Sequence, residues 1–184
     1  FVRKSFLEST ASIPKKIHQI WLGDKRAPQE FIDTWPQLNP GWEHILWDED
    51  MLRDCFPDVE KMRISELRDP YDYPCKSDLY RLHVLNRDGG VYVDTDCKCL
   101  KPFTDEFCRH NFFATFECEQ RRGLLINNCV VGAVPNNVVI NTMLERLHTY
   151  SDNKIVEIPT VNIAGPGFYT EIFQANPQLD FFVY

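Results

Sequence analysis

The sequence predicts a single α/β domain spanning residues 1–184, with a buried sheet flanked by helices. Three observations carry that prediction. Short apolar runs of strand length, bounded by proline or glycine, alternate with segments whose apolar residues recur at helical spacing. The clearest helix and strand are joined by a short glycine link, as α/β units require. Hydrophobic residues form 43% and charged residues 26% of the chain, a balance that builds one core at this length.

Each element has its own reason. Ile17, Ile20 and Leu22 form an apolar run between Pro14 and Gly23, which predicts a first, parallel and buried strand. Pro28 opens a helix to about Leu38, with Phe31, Ile32, Trp35 and Leu38 on one face. Asn39-Pro-Gly41 is a turn, and Trp42–Trp47 a second strand. Asp48 caps a helix containing Met51, Leu52 and Phe56. Residues 57–74 read as irregular to weakly helical. A helix over Ser77–Asn86 is stopped by Gly89-Gly90, and Val91–Thr95 is the next strand. Pro102, Phe103 and Phe107 begin a new segment. Asn111–Glu117 is another strand, Leu124–Ala133 an apolar run, and Val138–Leu147 a helix with Val139, Met143 and Leu147 as its stripe. Gly165-Pro-Gly167 precedes a helix over Phe168–Phe173. The apolar end Phe181–Tyr184 should pair or pack, which points to a longer natural chain, as does a first residue other than Met.

Composition excludes several classes. The net charge is -7 and the basic residues form no long run, which argues against a nucleic-acid partner. No stretch approaches the ~18 apolar residues of a membrane span, and no secretory signal is visible at Phe1. Seven cysteines leave at least one without an internal partner, and the lone CxC of Cys97 and Cys99 makes a poor zinc site. A mostly reduced set fits a cytoplasmic setting. The Golgi or another lumen stays open if an N-terminal anchor has been removed.

The chemistry concentrates in Ser77–Asp96. Strand periodicity predicts Asp94 and Asp96 on one face, opposite Val91 and Val93, at the carboxyl end where open α/β sheets bind ligands. Two carboxylates there suit a hard cation such as Mn2+ or Mg2+ held against a diphosphate. A solvated turn would look the same on this criterion alone. In the preceding helix Asp78 and Arg81 share a face, while Leu79, Leu82 and Leu85 form a core face. Arg81 either binds a phosphate or holds Asp78 for a sugar hydroxyl; a surface ion pair is the plain alternative. Asn127 and Asn128 are amides inside an apolar run, suited to a ligand or to a structural hydrogen bond. His18 reads as a structural residue of the first strand.

The block SDLYRLHVLNRDGGVYVDTD resembles the signature of the DXD-containing glycosyltransferases of family thirty-two. That family includes fungal and protozoan mannosyltransferases and, more distantly, the clostridial glucosylating toxins. Ile13–Trp21, Asn39–Asp48 and Gly165-Pro-Gly167 agree, so the resemblance covers about Ile13 to Phe173. It implies a GT-A fold, a Rossmann-like mixed sheet flanked by helices. It also implies a retaining hexosyl transfer from a UDP- or GDP-sugar to a glycan, lipid or protein hydroxyl, with Mn2+ or Mg2+. Asp94 and Asp96 match the DXD pair, the second holding metal most directly. Asp78 and Arg81 match donor-sugar contacts. Tyr92 matches a donor-side aromatic, with Ser77 beside the same pocket. Trp21 matches a tryptophan that packs on the base, or else fills the core, and Asn128 is a candidate for the donor sugar. The chain departs from the pattern in one respect. Relatives complete the metal shell beyond the Gly-Pro element, often with a histidine or asparagine, whereas no histidine follows His148 here. A metal-dependent nucleotide-sugar hydrolase and a non-catalytic sugar-binding domain are the competing readings.

Overall fold

A computed structural model describes residues 12–60, 62, 72–117, 125–150 and 158–184. Its centre is a six-stranded mixed sheet. In chain order the strands are β1 (Lys16–Ile20), β2 (Glu43–Trp47), β3 (Gly90–Val93), β4 (Phe112–Phe116), β5 (Ile126–Ala133) and β6 (Phe182–Val183). Their order across the sheet is β2-β1-β3-β5-β4-β6. β1 runs parallel to both β2 and β3. β5 is antiparallel to both β3 and β4, and β6 closes the edge parallel to β4. The apolar tail does pair, as its composition requires: Phe113 stands opposite Phe182, and Ala114 opposite Val183.

Alternation along the strands assigns the two faces. On β3, Tyr92 joins the main core, whereas Val91 and Val93 point into two smaller clusters on the other side. On β4, Phe112 and Ala114 share the face of Tyr92, and Phe113 the face of Val91. Three longer helices cover the main face: α5 (Tyr73–Asp88), α7 (Val138–His148) and α9 (Pro166–Ala175). Leu79, Leu82 and Leu85, then Val139, Met143 and Leu147, then Phe168, Ile172 and Phe173 are all buried there. Trp35, Trp42, Phe103 and Phe107 pack on the other face.

Short helices fill the links. They are α1 (Gln29–Ile32), α2 (Thr34–Leu38), α3 (Glu49–Cys55), α4 (Pro57–Glu60), α6 (Asp105–Cys108) and α8 (Thr160–Ile163). Two of them replace the single helix expected over residues 28–38. Pro36 has no N–H to donate to the Ile32 carbonyl, so the ladder is interrupted and the helix breaks at Asp33. Leu38 consequently leaves the buried face, with 39% of its surface exposed. Asp48 caps α3 as expected, accepting from the Met51 N–H at 2.8 Å. α5 starts a turn earlier than Ser77, because Asp72 accepts from the Cys75 N–H and Pro74 sits in the first turn, where no donor is needed. α4 falls in the stretch read as irregular to weakly helical, α6 and α8 are helices that the sequence reading does not assign, and residues 61 and 63–71 lie outside the described region. Gly89 and Gly90 end α5 with φ of 62° and 100°. A Cβ at Gly90 would lie 2.8 Å from the Lys16 carbonyl, so the link has room for glycine alone.

Candidate functional site

The site forms where α5 crosses the carboxyl end of β3. The buried face of α5 carries Asp78 and Arg81, 8% and 3% exposed. Arg81 reaches past Tyr92 to the end of the strand. One terminal nitrogen (Nη2) donates to Asp78 Oδ1 at 2.8 Å and to Asp94 Oδ1 at 3.0 Å. The other (Nη1) donates to the carbonyl of Asn128 on β5. Its guanidinium lies 4.2 Å from the centre of the Tyr92 ring. The Tyr92 hydroxyl interacts with Asp94 and lies 3.4 Å from Ser77 Oγ. Asn128 completes the cluster by donating from Nδ2 to Asp78 Oδ1 at 2.8 Å. Of the two roles open to Arg81 from the sequence, this is the geometry of a clamp that holds Asp78 and joins it to Asp94. The surface ion pair is excluded, since both partners are buried.

Electrostatics follow from the count of charges. Two carboxylates share one guanidinium out of water, which leaves one negative charge uncompensated. Burial pushes the Asp78 carboxyl up to about 6, against the pull of Arg81 and with added repulsion from Asp94. Burial also raises Asp94, and Asp96 adds to that repulsion.

The acidic pair is divided differently from the strand-face expectation. β3 ends at Val93, and the Cys97 N–H turns back onto the Asp94 carbonyl at 3.1 Å. Asp94 points to the side of Tyr92 and joins Arg81. Asp96 lies beyond the ladder, on a turn and exposed, so strand alternation no longer governs it. Gln19 Nε2 contacts the Asp94 carbonyl at 3.4 Å and supports the turn from β1. The donor set still fits a hard cation. Asp96 is open to solvent, the Asp94 side chain is 31% exposed, and their mutual repulsion is what a divalent ion relieves. Among the described residues no group of three or more histidine, cysteine or acidic side chains is placed to hold a metal, so such an ion would draw its remaining ligands from substrate and water.

Trp21 and Ser77 meet on a groove of about 550 Å³ beside this turn. Thr95, between the two aspartates, forms part of its wall, together with Leu22, Tyr73 and Lys25. The Trp21 indole N–H is occupied by the Lys25 carbonyl at 2.7 Å, which leaves the ring face to the groove. Tyr73 and Lys25 escaped the sequence reading; one directly precedes Pro74 in a stretch read as irregular to weakly helical, and the other sits in a loop with no periodicity. Asn127 faces away, bonded to Glu117 at 2.6 Å and to the Cys129 N–H. His18 is structural, as expected. Trp47 donates to its Nδ1, its Nε2 meets the Gly89 carbonyl, and burial holds it near 4.

Another missed residue is Tyr169, in the first turns of α9. It is fully buried and interacts electrostatically with Arg81, Asp78 and Asp94, yet its hydroxyl has no hydrogen-bond partner among the described residues. The Gly-Pro element packs on the same cluster: a Cβ at Gly165 would come within 3.2 Å of Asp78 Oδ2. A tyrosine just after Gly165-Pro-Gly167 was the available signal.

Known proteins resemble this chain in sequence and in fold. Residues 26–114 match the family described as "Glycosyltransferase sugar-binding region containing DXD motif". The chain is 25% identical to subversion of eukaryotic traffic protein A of Legionella pneumophila, over 86% of this chain and 31% of that protein. It is 28% identical to inositol phosphoceramide mannosyltransferase 1 of Schizosaccharomyces pombe, over 88% of this chain and 51% of that protein. It thus spans about half the length, or less, of these curated relatives. Two solved structures share the fold. The PaToxG glycosyltransferase has a TM-score of 0.71 at 20% identity, covering 91% of this chain and 71% of its own. The UDP-bound glycosyltransferase domain of the YGT toxin has a TM-score of 0.67 at 10% identity, covering 95% and 80%. The resemblance read from the sequence is therefore borne out, and the fold is GT-A.

Proposed function

We propose that this chain carries the catalytic domain of a metal-dependent, retaining glycosyltransferase that moves a hexosyl group from a nucleotide-diphosphate sugar to an acceptor hydroxyl. The observation that carries this reading is the single guanidinium joining Asp78 on the helix to Asp94 at the strand end, with Asp96 left open beside a groove. A charge pair kept at this cost of burial serves a ligand better than it serves stability.

The groove between Trp21 and Tyr73 accepts the nucleotide, with a ring face available for stacking on the base. Asp96, with Asp94, would hold Mn2+ or Mg2+, which offsets charge on the diphosphate leaving group when bound. Arg81 fixes Asp78 and Asp94 before substrate arrives, so the carboxylates need little reorganisation on binding. Asp78, steadied by Arg81 and Asn128, faces the donor-sugar side. Among the described residues no carboxylate is placed as a covalent nucleophile, which favours same-face attack with the leaving phosphate taking the acceptor proton. The relative's UDP complex supports a nucleotide-linked donor; UDP- and GDP-sugars are both consistent with the groove.

The test is a screen of UDP- and GDP-sugars with Mn2+, following donor binding, transfer and slow hydrolysis, with Asp96→Ala beside the parent. Asp96 is exposed and pairs with no cation among the described residues, so the variant should keep its stability within about 0.5 kcal/mol. Turnover should fall by about 100-fold or more. Equal turnover in the variant would overturn the reading. Metal-dependent donor cleavage with no transfer to any glycan, lipid or protein acceptor would favour the hydrolase instead.

A further inference from the structure

Two thiols stand beside the acidic turn, and the proposed reaction uses neither. Cys97 follows Asp96 directly, and its sulfur lies 3.9 Å from Asp96 Oδ1. Cys129 lies on β5 next to Asn128. The backbone binds their surroundings together: the Asp94 N–H donates to the Cys129 carbonyl at 2.9 Å, and the Cys97 N–H donates to the Asp94 carbonyl at 3.1 Å. The two thiols interact across this corner. Both are free and half-buried, so a small oxidant reaches them. Of the other described cysteines, Cys75, Cys99 and Cys108 are buried and Cys55 is exposed; Cys118 lies outside the described residues.

We propose that Cys97 and Cys129 form a reversible disulfide that pins the acidic turn to β5 and weakens cation binding at Asp94 and Asp96. The second half of this proposal rests on the metal-dependent transferase reading, and the first does not. With hydrogen peroxide as oxidant, one thiol becomes a sulfenic acid and one water leaves. The second sulfur then attacks it, the S–S bond forms and a second water leaves. The two thiol hydrogens end in the two waters, and a dithiol reductant returns two hydrogens on reversal. Closing the pair to the ~2.05 Å of a disulfide draws Cys97 toward the sheet. Asp96 is the adjacent residue and moves with it. Asn128, which holds Asp78, adjoins the other end of the bond. The cross-link therefore acts on both halves of the site at once.

The experiment treats the whole chain with hydrogen peroxide, maps peptides without reduction, and measures Mn2+ binding by electron paramagnetic resonance before oxidation, after it, and after dithiothreitol. The expected result is a Cys97–Cys129 linked peptide, Mn2+ affinity weakened about 10-fold, and recovery on reduction. Cys97→Ser and Cys129→Ser should each keep Mn2+ affinity through the same treatment. The proposal is overturned if both thiols of the treated parent stay open to alkylation, or if the linked protein binds Mn2+ as tightly as the reduced one. If the reduced parent binds no Mn2+ at all, it is the metal-dependent reading that falls, and the peptide map still decides whether the bond forms.

Discussion

Replacing Asp78 by Asn should make the folded chain more stable at pH 7 while removing the charge the site is built around. Burial lifts this carboxyl from 3.8 to about 6, with Arg81 already counted among its neighbours. Folding therefore favours the neutral form. The stability contributed by the raised group is complete below 3.8 and is lost as pH rises through about 6. At pH 7 the ionised carboxylate costs about 3 kcal/mol relative to its neutral form. An asparagine keeps an oxygen where Oδ1 accepts from Arg81 and from Asn128, both at 2.8 Å, and never ionises. Urea unfolding followed by tryptophan fluorescence reads the difference. With a slope of about 2 kcal/mol per molar, the midpoint should rise by about 1 to 1.5 M at pH 7. The gain should shrink toward zero as pH falls through 6 to 4. Asp78→Ala separates charge from hydrogen bonding, because it takes one acceptor from the Asn128 amide, which keeps the Ala164 carbonyl, and one from Arg81 Nη2, which keeps Asp94. It should cost about 3 kcal/mol at pH 4 and much less at pH 7, where the variant is also relieved of the buried charge. A loss of more than about 1 kcal/mol for Asp78→Asn at pH 7 would refute the reasoning, as would a gain that does not change between pH 7 and pH 4.

The buried histidines act with the opposite sign. Burial depresses His18 and His83 from 6.5 to about 4, so their contribution is present above 6.5 and lost as pH falls through 4. His18 is worth up to about 3 kcal/mol and the half-buried His83 less. Together they should outweigh Asp78, so net stability measured from pH 7 to pH 4 should fall; a flat profile would contradict this. Gly132→Ala tests the register of β5 against β4: its Cβ would land 2.1 Å from the buried Phe113 ring directly opposite. That overlap should cost about 2 to 3 kcal/mol and lower the melting temperature by about 5 to 10 °C. An unchanged melting temperature would place Phe113 elsewhere.

Local sequence determined the elements and their buried faces. The stripe of Val139, Met143 and Leu147 is helical because those spacings fall on one side of a 3.6-residue turn. Val91, Tyr92 and Val93 divide between two faces because a strand alternates. Asp78, Arg81, Asp94 and Asp96 were legible as a group because the motif lies within twenty residues of one helix–strand unit. Three features were decided only in the tertiary structure. Arg81 became a buried clamp because β5 enters antiparallel beside β3 and delivers Asn128 from 47 residues away. Asp94 and Asp96 took separate positions because the ladder stops at Val93, and where pairing stops depends on the partner strand rather than on the alternation within β3. Tyr169 and the Cys97–Cys129 contact depend on how α9 and β5 dock. Packing between distant segments sets those distances, and no residue spacing along the chain encodes them.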